Sequence, residues 1–283
     1  MKKVLFIGNR PGVYQKVQSA DNLNIVQVFA LSGSLLSSYL RSHSTPHVDF
    51  LLSEREMLFD RILAVEFDIL ISNGCPFILP VSRIKRPGQI YLNVHPSLLP
   101  VGRGRHPVNE VLLRGYRHYG ATMHYIDDGI DTGRIIHQER LLVTDDLDLG
   151  LLYRLVFEAE AKVFENGMLL LANSDFVMEG QSHAGDASYY TRKSSDQIID
   201  FTRMTDMEIV RRVRAFGIST QGANALTSEG HIKVFAAEVI GNSDLRAHYH
   251  DCEPGEVLLE YDKKLLVRSC EGIIKVTSFE KED

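Results

Sequence analysis

The chain has 283 residues, of which 44% are hydrophobic and 24% charged, and its formal net charge is −6 at pH 7. This length allows one large domain or two modest ones, and the composition excludes disordered, fibrous and collagen-like classes. The acidic net charge argues against a nucleic-acid partner, which needs a strongly basic surface. Three cysteines without CxxC spacing fit a reduced compartment, with no metal site and no disulfide framework.

The longest apolar runs are too short to cross a bilayer, which takes about 20 residues. The N-terminus carries two lysines, but the apolar stretch after them is too short for a signal peptide and ends in a predicted turn at residues 8–12. We therefore expect a cytoplasmic protein without a membrane partner.

The first two-thirds of the chain alternates between strand and helix patterns. Strand patterns, the first of them a short β-branched apolar run, are predicted over residues 3–8, 25–31, 48–52, 68–72, 89–94, 122–126 and 133–142. Apolar residues at helical spacing predict helices over residues 54–66, 108–113 and 148–172. This alternation predicts an α/β fold with a doubly wound, mostly parallel sheet.

The last third reads differently. Residues 173–190 are polar and aperiodic and contain Gly and Ser, so they predict a linker. A helix over residues 205–215 is followed by short strand patterns separated by turn residues, over 232–240, 255–261, 264–270 and 272–279. This pattern is typical of a small β domain such as a barrel. We therefore predict two domains, residues 1–190 and residues 191–283.

Chemistry-bearing residues follow the predicted strand 89–94, in the motif NVHPSLLP from Asn93 to Pro100. In open α/β sheets, ligands bind at the carboxyl ends of strands. Because strand side chains alternate, Asn93 and His95 point to the same side, where an amide donor and an imidazole can polarise a carbonyl and transfer a proton. A polar strand end with an ordinary turn is the alternative, and this motif alone leaves both open.

A second motif, GATMHYIDDGIDTG, spans residues 120–133 and alone is typical of a hairpin turn. Together the two motifs resemble the formyltransferase family that uses 10-formyltetrahydrofolate. The catalytic Asn, His and Asp of that family match Asn93, His95 and Asp131, and the 36-residue step from the His to the Asp agrees with the family. A weaker resemblance covers residues 3–172. Residues 189–237 resemble the start of the C-terminal domain of methionyl-tRNA formyltransferases, which implies an OB-like β domain.

The resemblance implies transfer of a formyl group from N10 of the folate to a primary amine, without a metal. It places the pterin ring between the segment after the fourth predicted strand and the loop before Asp131. The implied cofactor contacts are Cys75, Phe77, Ile78, Leu79, Tyr125, Asp127, Asp128, Gly129 and Ile130. Phe77 stands where some relatives carry Arg, which puts a polar side-chain contact there in doubt. We expect Cys75 to be a small buried apolar residue and not a nucleophile.

The residues Arg103-Gly104-Arg105-His106-Pro107, with the second motif, look most like the sugar N-formyltransferases. Those enzymes act on amino-dideoxy sugars attached to a nucleotide diphosphate, which implies a role in lipopolysaccharide O-antigen biosynthesis. The acceptor contacts expected on this basis are Arg10, Ser97, Arg103, Gly104, Arg105 and His106. Arginine forks suit a diphosphate. A solvated loop is the alternative for residues 103–105, and a solvated side chain is the alternative for Arg10.

Other acceptors remain open. Methionyl-tRNA formyltransferases carry a basic insertion after the second strand, whereas residues 32–46 here contain Arg41 as their only Lys or Arg. Glycinamide ribonucleotide transformylases usually end near the first domain, which argues against them, and a hydroxyornithine-type formyltransferase remains an alternative. A formate-releasing hydrolase would use the same three residues, and the intact set disfavours a non-catalytic binding protein. The C-terminal domain shapes the acceptor site, forms a homodimer or binds a second ligand, and the sequence does not decide among these.

Overall fold

The computed structural model describes residues 1–282. Two units are distinguished along the chain. The first comprises Met1–Arg105, His118–Leu142 and Leu155–Tyr189, and the second comprises His106–Arg117, Val143–Arg154 and the chain from Tyr190 onward. The division into domains 1–190 and 191–283 stays a prediction.

Seven strands form the sheet of the first unit: β1 (Lys2–Gly8), β2 (Leu23–Leu31), β3 (Val48–Phe50), β4 (Ile69–Asn73), β5 (Ile90–His95), β6 (His118–Tyr125) and β7 (Ile135–Leu142). Their order across the sheet is β3-β2-β1-β4-β5-β6-β7. The first five strands pair in parallel, while β6 runs antiparallel to both β5 and β7. The predicted α/β class with a mostly parallel sheet is confirmed.

Six helices lie between or after these strands along the chain: α1 (Pro11–Gln18), α2 (Leu35–Ser42), α3 (Arg55–Leu63), α4 (Val81–Ile84), α5 (Pro107–Arg114) and α6 (Leu149–Asn173). Helix α5 and the first residues of α6 belong to the second unit. On β1, Val4 and Phe6 face the core formed with α1, α2 and α6, whereas Leu5 and Ile7 face the core formed with α3 and α4. Successive strand residues point to opposite faces, and here both faces are covered. That double burial explains why β1 reads as one continuous apolar run.

Three of these helices, α1, α2 and α4, were not predicted. Residues 8–12 were expected to form only a turn, but α1 begins at Pro11, where a proline without an N–H fits the first helical position. The side chain of Ser34 accepts a hydrogen bond from the Ser37 N–H (3.2 Å) and caps α2. Such short helices, one of them rich in serine, carry a weak periodic signal.

The second unit contains a six-stranded sheet formed by β8 (Ile198–Ile199), β9 (Ala223–Thr227), β10 (Gly230–Val239), β11 (Val257–Tyr261), β12 (Lys264–Arg268) and β13 (Ile273–Lys281). Its order is β11-β12-β13-β10-β9-β8. Helix α7 (Asp206–Phe216) begins with a capping box between Thr205 and Glu208 and packs Ile209 and Val213 into the core of this unit. The predicted β domain is confirmed as a sheet, and its OB-like closure stays a prediction.

Two short strands, β8 and β9, were missed in this unit, and so was helix α8 (Ser243–His248). Residues 242–244 were expected to form a turn. Instead the side chain of Asn242 accepts a hydrogen bond from the Leu245 N–H (2.9 Å) and caps the helix. Within residues 1–282, no helix has both the length and the apolar character to cross a membrane.

Candidate active site

Asn93, His95 and Asp131 lie together at the carboxyl end of β5. The Asn93 Nδ2 atom is 3.4 Å from Asp131 Oδ1, and the His95 Nδ1 atom is 3.5 Å from the same oxygen. Strand alternation puts Asn93 and His95 on one face of β5, and the loop between β6 and β7 carries Asp131 to them. The structure thus brings an amide, an imidazole and a carboxylate to one point, at the sheet edge where ligands of α/β folds bind.

The backbone of residues 102–104 holds two of these side chains. The His95 Nε2 atom is 2.8 Å from the Gly102 carbonyl oxygen, which can only accept, so Nε2 carries the hydrogen. The Gly104 N–H donates to Asp131 Oδ2 (3.0 Å). Asp131 itself has a φ of +51°, a left-handed conformation that Asp tolerates better than most residues. Both residues of the His95–Asp131 pair are therefore oriented by backbone groups.

His124 belongs to the same cluster, although it is not among the site residues predicted from the sequence. It stands opposite Asn93 in the antiparallel β5–β6 pairing and is 2% exposed. Burial lowers the pKa of His124 to about 4, opposed by the nearby carboxylate of Asp131 and reinforced by His95. The ring is therefore neutral at physiological pH.

The neutral ring of His124 determines how the Asn93 amide is turned. Its Nδ1 atom is 2.7 Å from the Tyr125 carbonyl oxygen and must carry the hydrogen, which leaves Nε2 as an acceptor. The Asn93 atom 3.1 Å from Nε2 is therefore the amide nitrogen, which donates. Asn93 Nδ2 thus faces His124 and Asp131 with its two hydrogens.

The two segments expected to hold the pterin ring meet in the structure. Just beyond the first segment, residues 73–80, Asp128 Oδ1 accepts hydrogen bonds from the N–H (3.0 Å) and hydroxyl (3.2 Å) of Ser82 in α4. Ile126 packs against the same apolar cluster as Cys75 and Phe77. Asp127 Oδ1 accepts from the Gly129 N–H and the Thr132 hydroxyl and so stabilises its own loop.

The other expected cofactor residues differ in accessibility. Ile78 and Ile130 are 48% and 42% exposed, whereas Leu79 is buried. The Tyr125 hydroxyl donates to the Met178 carbonyl, and burial raises the pKa of Tyr125. Contact of all these residues with a folate stays a prediction.

Cys75 packs among apolar side chains between β4 and α4. Burial raises the pKa of its thiol to about 12, because a thiolate cannot be solvated there. A neutral thiol is a poor nucleophile. Cys75 is half-buried and not fully buried as expected, and its role as a small apolar residue stays a prediction.

Arg10 is not the solvated side chain offered as one alternative. It is 14% exposed and forms a two-pronged ion pair with the nearly buried Glu160, with Nε 2.9 Å from Oε2 and Nη2 2.5 Å from Oε1. Its Nη1 atom donates to Asn9 Oδ1 (3.0 Å), and the guanidinium carbon is 4.9 Å from the centre of the Phe157 ring. All three nitrogens of the guanidinium therefore have partners within the chain. Contact of Arg10 with an acceptor stays a prediction.

The remaining expected acceptor residues occupy different environments. Ser97 is fully buried, and Arg103 is 9% exposed. Arg105 is exposed, and the His106 Nδ1 atom accepts from the Arg192 N–H (3.3 Å). Gly104 points its N–H at Asp131. Their contacts with an acceptor stay predictions. In residues 1–282, no group of three His, Cys, Asp or Glu side chains is arranged to hold a metal ion.

An α/β sheet with a donor amide, an imidazole and a carboxylate at one strand end defines a protein suited to attack on a carbonyl group. The comparison with known families makes this specific. Residues 2–167 match the formyl transferase family, and residues 192–283 match the formyl transferase C-terminal domain. The chain belongs to the formyltransferase family.

Individual relatives are similar over most of the chain. The methionyl-tRNA formyltransferase of Syntrophomonas wolfei is 32% identical over 224 residues, which cover 76% of this chain and 66% of the relative. The N-formyltransferase of Helicobacter canadensis, solved with folinic acid and dTDP-3-aminofucose, matches with a TM-score of 0.72 at 18% identity over 99% of this chain and 100% of its own. HypX of Aquifex aeolicus, solved with tetrahydrofolic acid, matches with a TM-score of 0.68 at 15% identity, and this chain spans 44% of it. Both structural matches show the shared fold.

Proposed function

We propose that this chain transfers the formyl group of 10-formyltetrahydrofolate to a primary amine, the amino group of a nucleotide-linked amino-deoxy sugar. The observation that carries the proposal is the convergence of Asn93 and His95 on Asp131 Oδ1, at 3.4 and 3.5 Å. Membership of the formyltransferase family supports formyl transfer. The fold shared with the Helicobacter canadensis enzyme, whose complex holds a folate and a nucleotide-linked amino sugar, supports the choice of donor and acceptor.

Asn93 stabilises the charge that develops in this reaction. As the neutral amine attacks the formyl carbon, negative charge grows on the carbonyl oxygen. The Asn93 Nδ2 bond to Asp131 (3.4 Å) is longer than its bond to His124 (3.1 Å), so an incoming carbonyl oxygen replaces the former. A hydrogen bond that strengthens as the oxygen becomes negative lowers the barrier.

His95 moves the proton. The amine loses a proton as the new C–N bond forms, and N10 of the folate gains one as the old C–N bond breaks. His95 Nε2 is held by the Gly102 carbonyl, which leaves Nδ1 to accept the first proton and deliver the second. The Asp131 carboxylate, 3.5 Å from Nδ1, stabilises the imidazolium between the two transfers.

A methionyl-tRNA formyltransferase is the second candidate, favoured by the 32% identity to the Syntrophomonas wolfei enzyme. Two observations weigh against it. The net charge is −6, and Arg41, the only Lys or Arg of residues 32–46, pairs with Asp49. Residues 32–46 of this acidic protein therefore lack the basic cluster that would supply phosphate contacts, which dominate binding of nucleic acid. We therefore favour the nucleotide-linked sugar.

A mass-spectrometric assay tests the proposal. The protein is incubated with 10-formyltetrahydrofolate and, in separate reactions, nucleotide-linked 3- or 4-amino sugars, methionyl-tRNA, hydroxyornithine or no acceptor. We expect a formyl mass on an amino sugar alone. Formate release without any formylated acceptor would overturn the transferase proposal, and formylated methionyl-tRNA would establish the second candidate.

Three variants test the mechanism. We expect Asn93→Ala, His95→Ala and Asp131→Ala each to lower kcat by about 10²-fold or more, because each removes a group that acts in the transition state. Thermal unfolding of each variant verifies that the fold is retained. Near-normal turnover in any one of them removes that residue from the proposed catalytic set.

A further inference from the structure

Residues 181–189, expected to be part of a linker, hydrogen-bond to β7 at their first residue and to the loop that follows β5 near their end. We call them the strap. The Ser188 N–H donates to the Pro100 carbonyl (3.2 Å), and the Ser188 carbonyl accepts from the Arg103 N–H (2.9 Å). The Ser188 hydroxyl accepts from the Gly102 N–H (2.8 Å). The strap is therefore fixed to the loop at successive backbone positions.

The Arg103 side chain donates hydrogen bonds to two residues of the strap, and we call this pair of contacts the grip. Its Nη1 atom donates to the Tyr189 hydroxyl (2.6 Å), and its Nη2 atom donates to His183 Nδ1 (2.7 Å). The guanidinium carbon also lies 5.3 Å from the centre of the Tyr189 ring, within cation–π range. The remaining nitrogen, Nε, is buried from solvent. This Nε atom has no hydrogen-bond partner within residues 1–282, but Arg103 as a whole is only 9% exposed and so offers little surface to a ligand in this conformation.

His183 links this grip to the loop that carries Asp131. Its Nε2 atom is 2.8 Å from the Gly133 carbonyl oxygen, which can only accept, so Nε2 carries the hydrogen. Nδ1 is then the acceptor that Arg103 needs. The Gln181 N–H and carbonyl pair with the backbone of Ile135 (2.7 and 2.8 Å), which extends the attachment to β7.

The backbone on either side of Arg103 holds the candidate catalytic residues. The Gly102 carbonyl accepts from His95 Nε2 (2.8 Å), and the Gly104 N–H donates to Asp131 Oδ2 (3.0 Å). Both glycines have positive φ, +76° and +100°. Glycine restricts the backbone least of all residues, so these two peptides need outside contacts to keep their orientation.

We propose that Arg103 is a positioning residue: the strap, through Tyr189 and His183, holds its side chain and thereby sets the Gly102 and Gly104 peptides that orient His95 and Asp131. This inference rests on the proposed function. It gives Arg103 a role different from the acceptor contact expected from the sequence.

Removing one atom from the grip tests the inference. Tyr189→Phe deletes only the hydroxyl that accepts from Arg103 (2.6 Å). We expect kcat to fall about fivefold, with the KM for the amino sugar within twofold of the normal value, since loss of one hydrogen bond loosens the geometry of the reacting groups and not acceptor binding. Tyr190→Phe is the matched control, because the Tyr190 hydroxyl donates to Asp196 (2.8 Å) and not to the loop.

A double-mutant cycle separates the two roles of Arg103. Once Arg103→Met has removed the guanidinium, Tyr189→Phe and His183→Phe should cause no further loss of kcat. Additive losses would show that the strap residues act without Arg103 and would overturn the proposal. A raised KM for the nucleotide-linked sugar with unchanged kcat in Arg103→Met would overturn it as well, since that result assigns acceptor binding.

A readout without turnover separates this proposal from the proposed function. The NMR signals of the His95 ring should shift in Tyr189→Phe, while those of His137, which contacts Glu139 on β7, should not. If no amine in the panel is formylated but the His95 signals shift, the function fails and the strap inference stands. Unchanged His95 signals in folded Tyr189→Phe overturn the inference.

Discussion

Replacing His124 with phenylalanine keeps a buried ring on β6 and removes the acceptor that orients Asn93. The lost hydrogen bond spans 3.1 Å between Asn93 Nδ2 and His124 Nε2. Leaving the half-buried Asn93 amide without its partner, beside a buried ring, costs about 1–3 kcal/mol. If that energy is lost from the orientation needed in the transition state, kcat falls by roughly 5- to 150-fold, since about 1.4 kcal/mol corresponds to tenfold.

The same substitution should change how stability depends on pH. The pKa of His124 is about 4 in the folded chain, below the value of about 6.5 in an unfolded chain. Between these values the unfolded chain takes up a proton that the folded chain does not, so the free energy of unfolding falls as pH is lowered through this window. Between pH 7 and pH 4, this single group lowers the free energy of unfolding by about 3 kcal/mol. His124→Phe removes that contribution.

Denaturant unfolding between pH 7 and pH 4 measures this difference, and formyl-transfer kinetics at pH 7 measure the loss of kcat. Between pH 7 and pH 4, we expect the decrease in the free energy of unfolding to be about 3 kcal/mol smaller in His124→Phe than in the parent chain. His118→Phe is the control, because His118 lies on the same strand, β6, and its side chain is exposed. A pH slope equal to that of the parent chain, or a full kcat in His124→Phe, would refute this account of the neutral ring.

Further predictions concern groups away from the catalytic cluster. Iodoacetamide at pH 8 should label the exposed Cys270 and spare Cys75, whose pKa is raised to about 12 by burial, and peptide mass spectrometry would expose the error if both react alike. Glu160→Gln should lower the free energy of unfolding by about 3 kcal/mol, because it leaves Arg10 unpaired in a nearly buried site. Glu165→Gln removes an exposed ion pair and should cost less than about 1 kcal/mol in the same denaturant titration, so equal losses would contradict the argument.

The sequence predicted the elements whose signal is local and strong. The doubly buried strand β1 appears as a continuous apolar run, and α6 is long enough for its helical period to stand out. Helix α2 was missed because its serines favour turns as readily as helix, and its formation depends on the Ser34 cap and on packing of Leu36 and Leu40. Strand β8 was missed because it has only two residues, and β9 was missed because its sequence, ANALT, is poor in β-branched and aromatic residues.

For the site, the resemblance named Asn93, His95 and Asp131, whereas the residues that orient them were missed. His124 stands in the second motif, yet its role follows from pairing opposite Asn93, and a sequence does not state the register between two strands. The polar composition of residues 181–189 predicted a linker because backbone hydrogen bonds leave no mark on composition. Arg103 was predicted to bind phosphate because its actual partners, Tyr189 and His183, are distant in sequence and could not be recognised from it.

Because side chains alternate along β6, the cluster is sensitive to insertions and deletions in this strand. His124 faces the cluster, while its neighbour Met123 packs in the apolar core. One residue added to or removed from β6 would exchange them, sending an imidazole into the core and a thioether to Asn93. Loops do not have this constraint, because a change in their length does not exchange the two faces of a strand. New acceptor specificities should therefore arise through loops of altered length, while β6 tolerates substitution only at constant length.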